Sequence, residues 1–91
     1  MFRLWLRIFS DNHLLKDVTV EDAAPDTRTH KVKRALAEGC RQFDLSHPIW
    51  LEKNIAEFKK HARARFTQDN FVEEIYFDYL EIRVIEEDDY V

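Results

Sequence analysis

The chain has 91 residues, 45% of them hydrophobic and 35% charged, with a formal net charge of −4. That length is the length of one domain, and an apolar fraction this high with a single glycine excludes a disordered or low-complexity chain. The lone cysteine, Cys40, excludes an internal disulfide; Arg3 and Arg7 interrupt the N-terminal apolar run before a signal-peptide core can form, and no run reaches membrane-spanning length. A cytoplasmic setting, with no membrane contact, is the expectation.

The total charge conceals an uneven distribution. Residues 1–25 carry three Lys/Arg against four Asp/Glu, residues 26–66 ten against five, and residues 67–91 one against nine. A basic middle and an acidic end suit either a polyanionic partner or segments that neutralise each other by packing together.

Residues 2–9, FRLWLRIF, alternate with period two, placing Phe2, Leu4, Leu6 and Ile8 on one side and Arg3, Trp5, Arg7 and Phe9 on the other. Ser10, Asp11, Asn12 and His13 then signal a turn into a second strand at about 14–22. A two-residue loop would pair even with odd positions and bury charge. A three-residue loop, 11–13, pairs Leu6 with Val18, Leu4 with Val20, Trp5 with Thr19, Arg7 with Asp17 and Arg3 with Glu21, so apolar pairs share one face and opposite charges the other.

From 27 to 43 the spacing becomes helical, with Val32, Leu36, Gly39 or Cys40, and Phe43 recurring every three or four residues; Asp26, Thr27 or Thr29 could cap this helix, and Gly39 permits close packing. Ser46, His47 and Pro48 interrupt it, giving a loop over 43–53 anchored by Ile49, Trp50 and Leu51. Asn54, three residues before Glu57, has the spacing of a capping box for a second helix over about 55–65. Residues 66–75 fit either a short helical turn or an extended lead into the last strand. That strand, within YLEIRVIEE at 79–87, puts Leu80, Ile82 and Val84 on one face, and the acidic residues 87–91 are expected to fray.

These elements predict a single α+β domain in which a three-stranded, mainly antiparallel sheet of ββααβ order carries two helices on one face, with both ends of the chain in that sheet. The chain as a whole also resembles a group of short, uncharacterised bacterial proteins, most strongly across CRQFDLSHPIWLEKNIAEFKKH (40–61), RFTQDNF (65–71) and FDYLEIRVIEE (77–87). The resemblance implies no activity, substrate, cofactor or site residue.

Two surfaces stand out. The outer sheet face would gather Trp5, Phe9, Leu15, Tyr79 and Ile85 among Arg3, Arg7, Glu81 and Arg83, a mixture of aromatics, arginines and acids enriched at protein interfaces. Its interface candidates are Trp5, Arg7, Phe9, Tyr79, Glu81, Arg83 and Ile85; the plainer reading is that arginine stems cover the rings. The second surface is the start of the first helix, where Arg28, His30 and Lys31 crowd the positive end of the helix dipole. Thr27, Arg28, Thr29, His30 and Lys31 would make an anion site there, unless Glu21, Asp22, Asp26 or the acidic tail balances them. Lys53, Lys59, Lys60, His61, Arg63 and Arg65, combined with Lys31, Lys33 and Arg34, could track a nucleic-acid backbone, but Glu52 and Glu57 punctuate the run.

Catalytic signatures are missing from the sequence. His13, His30, His47 and His61 lack the paired spacing of a metal site, and Cys40 falls on the buried stripe of the first helix. Asp78, Glu81 and Glu73 offer carboxylates near the last strand, without a motif that defines a pocket. The expectation is therefore a non-enzymatic interaction domain without cofactor, forming a homodimer or binding a protein partner, with nucleic acid or another phosphate ligand as the alternative.

Overall fold

Two residues at the tip of the first hairpin set the geometry of the sheet. Asp11 and Asn12 both have positive φ (52° and 64°), the backbone of a tight two-residue turn between β1 (Phe2–Ser10) and β2 (His13–Asp22). Taken alone, that turn would pair odd positions with even ones. A bulge between Ile8 and Phe9 absorbs one residue, so Phe9 faces Leu14 while Ile8 already faces Lys16. Beyond it the register is the expected one: Arg7 with Asp17, Leu6 with Val18, Trp5 with Thr19, Leu4 with Val20 and Arg3 with Glu21. The three-residue loop is thus replaced by a shorter turn plus a bulge, and Leu14, rather than Leu15, stands opposite Phe9.

The computed structural model describes residues 1–87; the rest of the acidic end, expected to fray, lies outside the described residues. After the hairpin come α1 (Arg28–Gln42), α2 (Glu52–His61), β3 (Arg63–Phe66), a single 3-10 turn (Gln68–Asn70) and β4 (Tyr79–Glu86). The fold is α+β, and its sheet has four antiparallel strands in the order β2-β1-β4-β3 instead of the three expected. β1 and β4 lie side by side at its centre, so the two ends of the described chain do share one sheet.

The extra strand comes from residues assigned to the second helix and its sequel. α2 begins at Glu52, earlier than expected, because Asn54 caps from inside: its Oδ1 accepts the Leu51 N–H at 3.0 Å. It stops at Ala62, which takes the left-handed conformation (φ 56°) while its N–H reaches the Phe58 carbonyl. Arg63–Phe66 then pairs with Arg83–Leu80 of β4. Two buried asparagines fix this corner. Asn54 Nδ2 donates to the Arg65 carbonyl (2.9 Å), and Asn70 Nδ2 donates to both Asn54 Oδ1 and the Ile49 carbonyl (2.7 Å each). Since a buried amide without partners costs about 1–3 kcal/mol, this network ties the 49–51 segment, α2, β3 and the 3-10 turn into one arrangement.

Both helices lie on the face of Leu4, Leu6, Ile8, Leu80 and Ile82, each fully buried. α1 presents Val32, Ala35, Leu36, Gly39 and Cys40 to it, as its spacing predicts, and ends in a Schellman turn through Asp44 (φ 58°), with Leu45 N–H on the Cys40 carbonyl at 2.8 Å. Burial pushes the Cys40 thiol up to about 11, which leaves it a small core residue. No helix among the described residues is long and apolar enough to cross a membrane.

Gly39 is where α1 meets the sheet most closely: a Cβ there would fall 2.3 Å from a methyl of the fully buried Leu6. Gly39→Ala should therefore lower unfolding free energy by about 1–2 kcal/mol in urea titration, although the same change at an open helix position stabilises by about 1 kcal/mol. A stabilised variant would show that Leu6 can move aside.

Candidate functional site: the open face of the sheet

With both helices on the inner side, the odd-numbered residues of β1 and their partners form a face that no helix among the described residues covers. Register places them in rows across the sheet. One row runs Thr19, Trp5, Arg83, Arg63, and the next runs Asp17, Arg7, Glu81, Arg65, alternating in charge over all four strands. Phe9 and Tyr79 stand opposite each other in a third row and stack with ring centroids 5.2 Å apart.

Glu81 is the centre of this face and is only 4% exposed. Its carboxylate accepts a hydrogen bond from Arg7 Nη2 and another, 2.8 Å long, from Arg65 Nε. The same guanidinium groups cover the rings beside it: Arg7 lies 4.0 Å above Trp5 and 5.1 Å from Phe9, and Arg65 lies 5.0 Å from Tyr79. Trp5 Nε1 donates to Asp17 at 3.0 Å. Burial raises the Glu81 carboxyl, but the Arg65 hydrogen bond and the Arg7 charge outweigh it and hold the group below the ordinary glutamate range.

Of the seven interface candidates, Trp5, Arg7, Phe9 and Tyr79 are half-buried, Arg83 and Ile85 are exposed, and Glu81 is buried under its neighbours. Glu81 accordingly positions the arginines and rings without presenting itself. Ile85 sits at a second bulge, between the pairs Arg3 with Glu86 and Leu4 with Val84. Arg65, which completes the cluster, could not be placed here from the sequence because β3 was not recognised.

The start of α1 is arranged differently. Thr27 caps the helix by accepting the His30 N–H at 3.2 Å. Asp26 accepts from the Thr27 N–H, His30 Nδ1 and Arg34 Nη1 at 2.7, 2.9 and 2.6 Å, and Arg28 bonds Glu87 at 2.6 Å. Arg34 also reaches Asp22 (2.8 Å), and the Lys31 charge helps lower the Asp22 carboxyl although Lys31 itself is buried. The cations of this turn thus face carboxylates from the same chain, Asp22, Asp26 and Glu87, while Glu21 pairs with Arg3. Of the five anion candidates, Arg28 and Thr29 open onto a cavity, described below.

Nor do the basic residues form one surface: Lys59 faces α1, whereas Lys53, Lys60, His61, Arg63 and Arg65 line a shallow concavity on the other side of α2. Among the described residues no three His, Cys, Asp or Glu side chains come together as a metal-ligand set.

Glu81→Gln should cost about 2 kcal/mol of stability at neutral pH, less than the roughly 3–5 kcal/mol of a fully buried orphaned charge because Arg65 is half exposed. A carboxylate with a lowered native pKa adds stability above its unfolded value and loses it as pH falls through the native one. The gap between wild type and variant should therefore be complete above pH 4.5, the ordinary glutamate value, and close as pH falls below it in urea titrations; a gap independent of pH would contradict this.

In comparisons with protein-family models, curated proteins and solved structures, nothing matched the chain.

Proposed function

We propose that the chain is a non-enzymatic interaction domain that binds a protein surface, its own copy first among them, through the outer face of the sheet. The observation that carries this reading is the cluster around Glu81: Trp5, Tyr79, Arg7 and Arg65, residue types that dominate binding energy at interfaces, are held in fixed positions on a face without helical cover. Side chains already ordered lose little further freedom when a partner arrives. Leu14 and Ile85, each about half exposed, add apolar area toward the two ends. Exposed Arg3 stands between Glu21 and Glu86 across the strands, so a copy related by a two-fold axis could meet these charges with their opposites.

Sedimentation equilibrium tests self-association, and a photo-reactive phenylalanine analogue at position 83, with a control at Glu74, tests a different protein partner in cells. The expected result is a dimer weakened at least tenfold by Trp5→Ala, or adducts from position 83 and none from position 74. A monomer at every workable concentration together with no adduct from position 83 would sink the reading.

A second reading rests on the concavity of about 540 Å³ where Lys53, Lys60, His61, Arg63 and Arg65 converge around Glu57. It suits a phosphate-rich ligand, but Arg63 lies within 3.6 Å of Glu57 and Arg65 is held by Glu81, which leaves fewer free cations than the sequence suggests. For nucleic acid, Lys53→Gln/Lys60→Gln should weaken binding and flatten its salt dependence by about two units of slope. Absence of binding to single- and double-stranded nucleic acid at low salt removes this alternative.

A further inference from the structure

α1 and α2 leave between them a groove of about 500 Å³, separate from the open sheet face. Val32, Trp50 and Phe58 form its apolar lining, with the half-exposed Ile55 on the α2 wall. Trp50 stands edge-on to Phe58 and Phe66, at centroid distances of 5.6 and 5.0 Å, so this lining is a braced aromatic surface. Arg28 and Lys33 from α1 and Lys59 from α2 open onto the same groove, and no acidic side chain among the described residues lines it. Arg28 is already engaged, bonded to Glu87 and 5.1 Å from the Phe58 ring. Lys33 and Lys59, by contrast, form no ion pair with a described residue, so among the described residues two cations border an apolar cavity with no carboxylate paired to them.

We infer that this groove binds a small amphiphilic carboxylate, an apolar body of about ten carbons seated on Trp50, Phe58 and Ile55 with its head group paired to Lys33 and Lys59. The volume lies within the range of small-molecule sites, about 300–1,000 Å³. A docked helix fits it poorly: the α1 wall runs only from Arg28 to Lys33, about 8 Å of helix, shorter than the i to i+7 anchor span of such ligands. Charge complementarity selects an anion over a neutral or cationic amphiphile of the same length.

Decanoate, decanol and decylamine, titrated below their aggregation limits into the whole chain, test the inference by calorimetry and by Trp50 fluorescence in a Trp5→Phe background. Decanoate is expected to bind saturably, at least tenfold more tightly than decanol, and decylamine not to bind. Lys33→Gln/Lys59→Gln should erase the preference for decanoate over decanol while leaving decanol affinity unchanged, and Ile55→Asp, at an exposed position on the wall, should abolish decanoate binding. Lys53→Gln/Lys60→Gln, on the other side of α2, should change nothing. Equal affinity for the acid and the alcohol, unchanged binding in the Lys33/Lys59 variant, or no saturable decanoate binding would each overturn it.

Discussion

A carboxylate buried on the side of a sheet that no helix covers is a costly thing to fold, and Glu81 is tolerated there because two arginines reach it from the strands on either side. Arg7 comes from β1 and Arg65 from β3, so one side chain on β4 joins three strands. This matters most for β3, which has only four residues and little ladder of its own. It also penalises slippage: a shift of one residue would turn Glu81 toward the buried Leu6 and Ile8 of β1 and separate it from both arginines. The cluster therefore specifies register as well as binding the strands, and by holding Arg7 and Arg65 over Trp5, Phe9 and Tyr79 it fixes the shape of this face.

The two sides of the sheet divide the work. The inner side is a close-packed layer in which Gly39 lets α1 rest on Leu6 and the Asn54–Asn70 pair locks the α2 corner. Because that corner brings Trp50 against Phe58 and Phe66, α2 is anchored by its start and its aromatic side, and its exposed side stands apart from α1. The lysines on the facing walls then border a space that the core does not fill. The two surfaces proposed for recognition thus follow from how the strands and helices are tied, one from a rigid charged cluster and one from an incomplete contact between helices.

Much of this was legible in the residues. Period-two alternation in 2–9 and 79–86 marks the buried face, and charge matching along the hairpin is enough to give the pairs from Arg3 with Glu21 to Arg7 with Asp17. The bulge at Ile8 and Phe9 was not legible, since a three-residue loop and a two-residue turn followed by a bulge yield the same pairs farther along. β3 was hidden because Arg63 and Arg65 continue the basic pattern of α2, and the break falls on Ala62, a residue that rarely adopts a left-handed conformation. Without β3, Glu81 read as one more exposed acid of the outer face. The crowding of cations at the start of α1 was visible, whereas its balance by Asp22, Asp26 and Glu87 depends on the end of β2 and the end of β4 lying beside that turn.

The most direct measurement of the central claim is a double-mutant cycle between Arg7 and Glu81, with Arg7→Met, Glu81→Gln and the combined variant compared by chemical denaturation at neutral pH. If the buried carboxylate and its arginine act as a unit, the expected coupling is about 1.5 kcal/mol or more, the double variant losing clearly less than the two single losses together. Losses that add to within about 0.5 kcal/mol would mean that the two side chains act independently, and would contradict a sheet organised around Glu81.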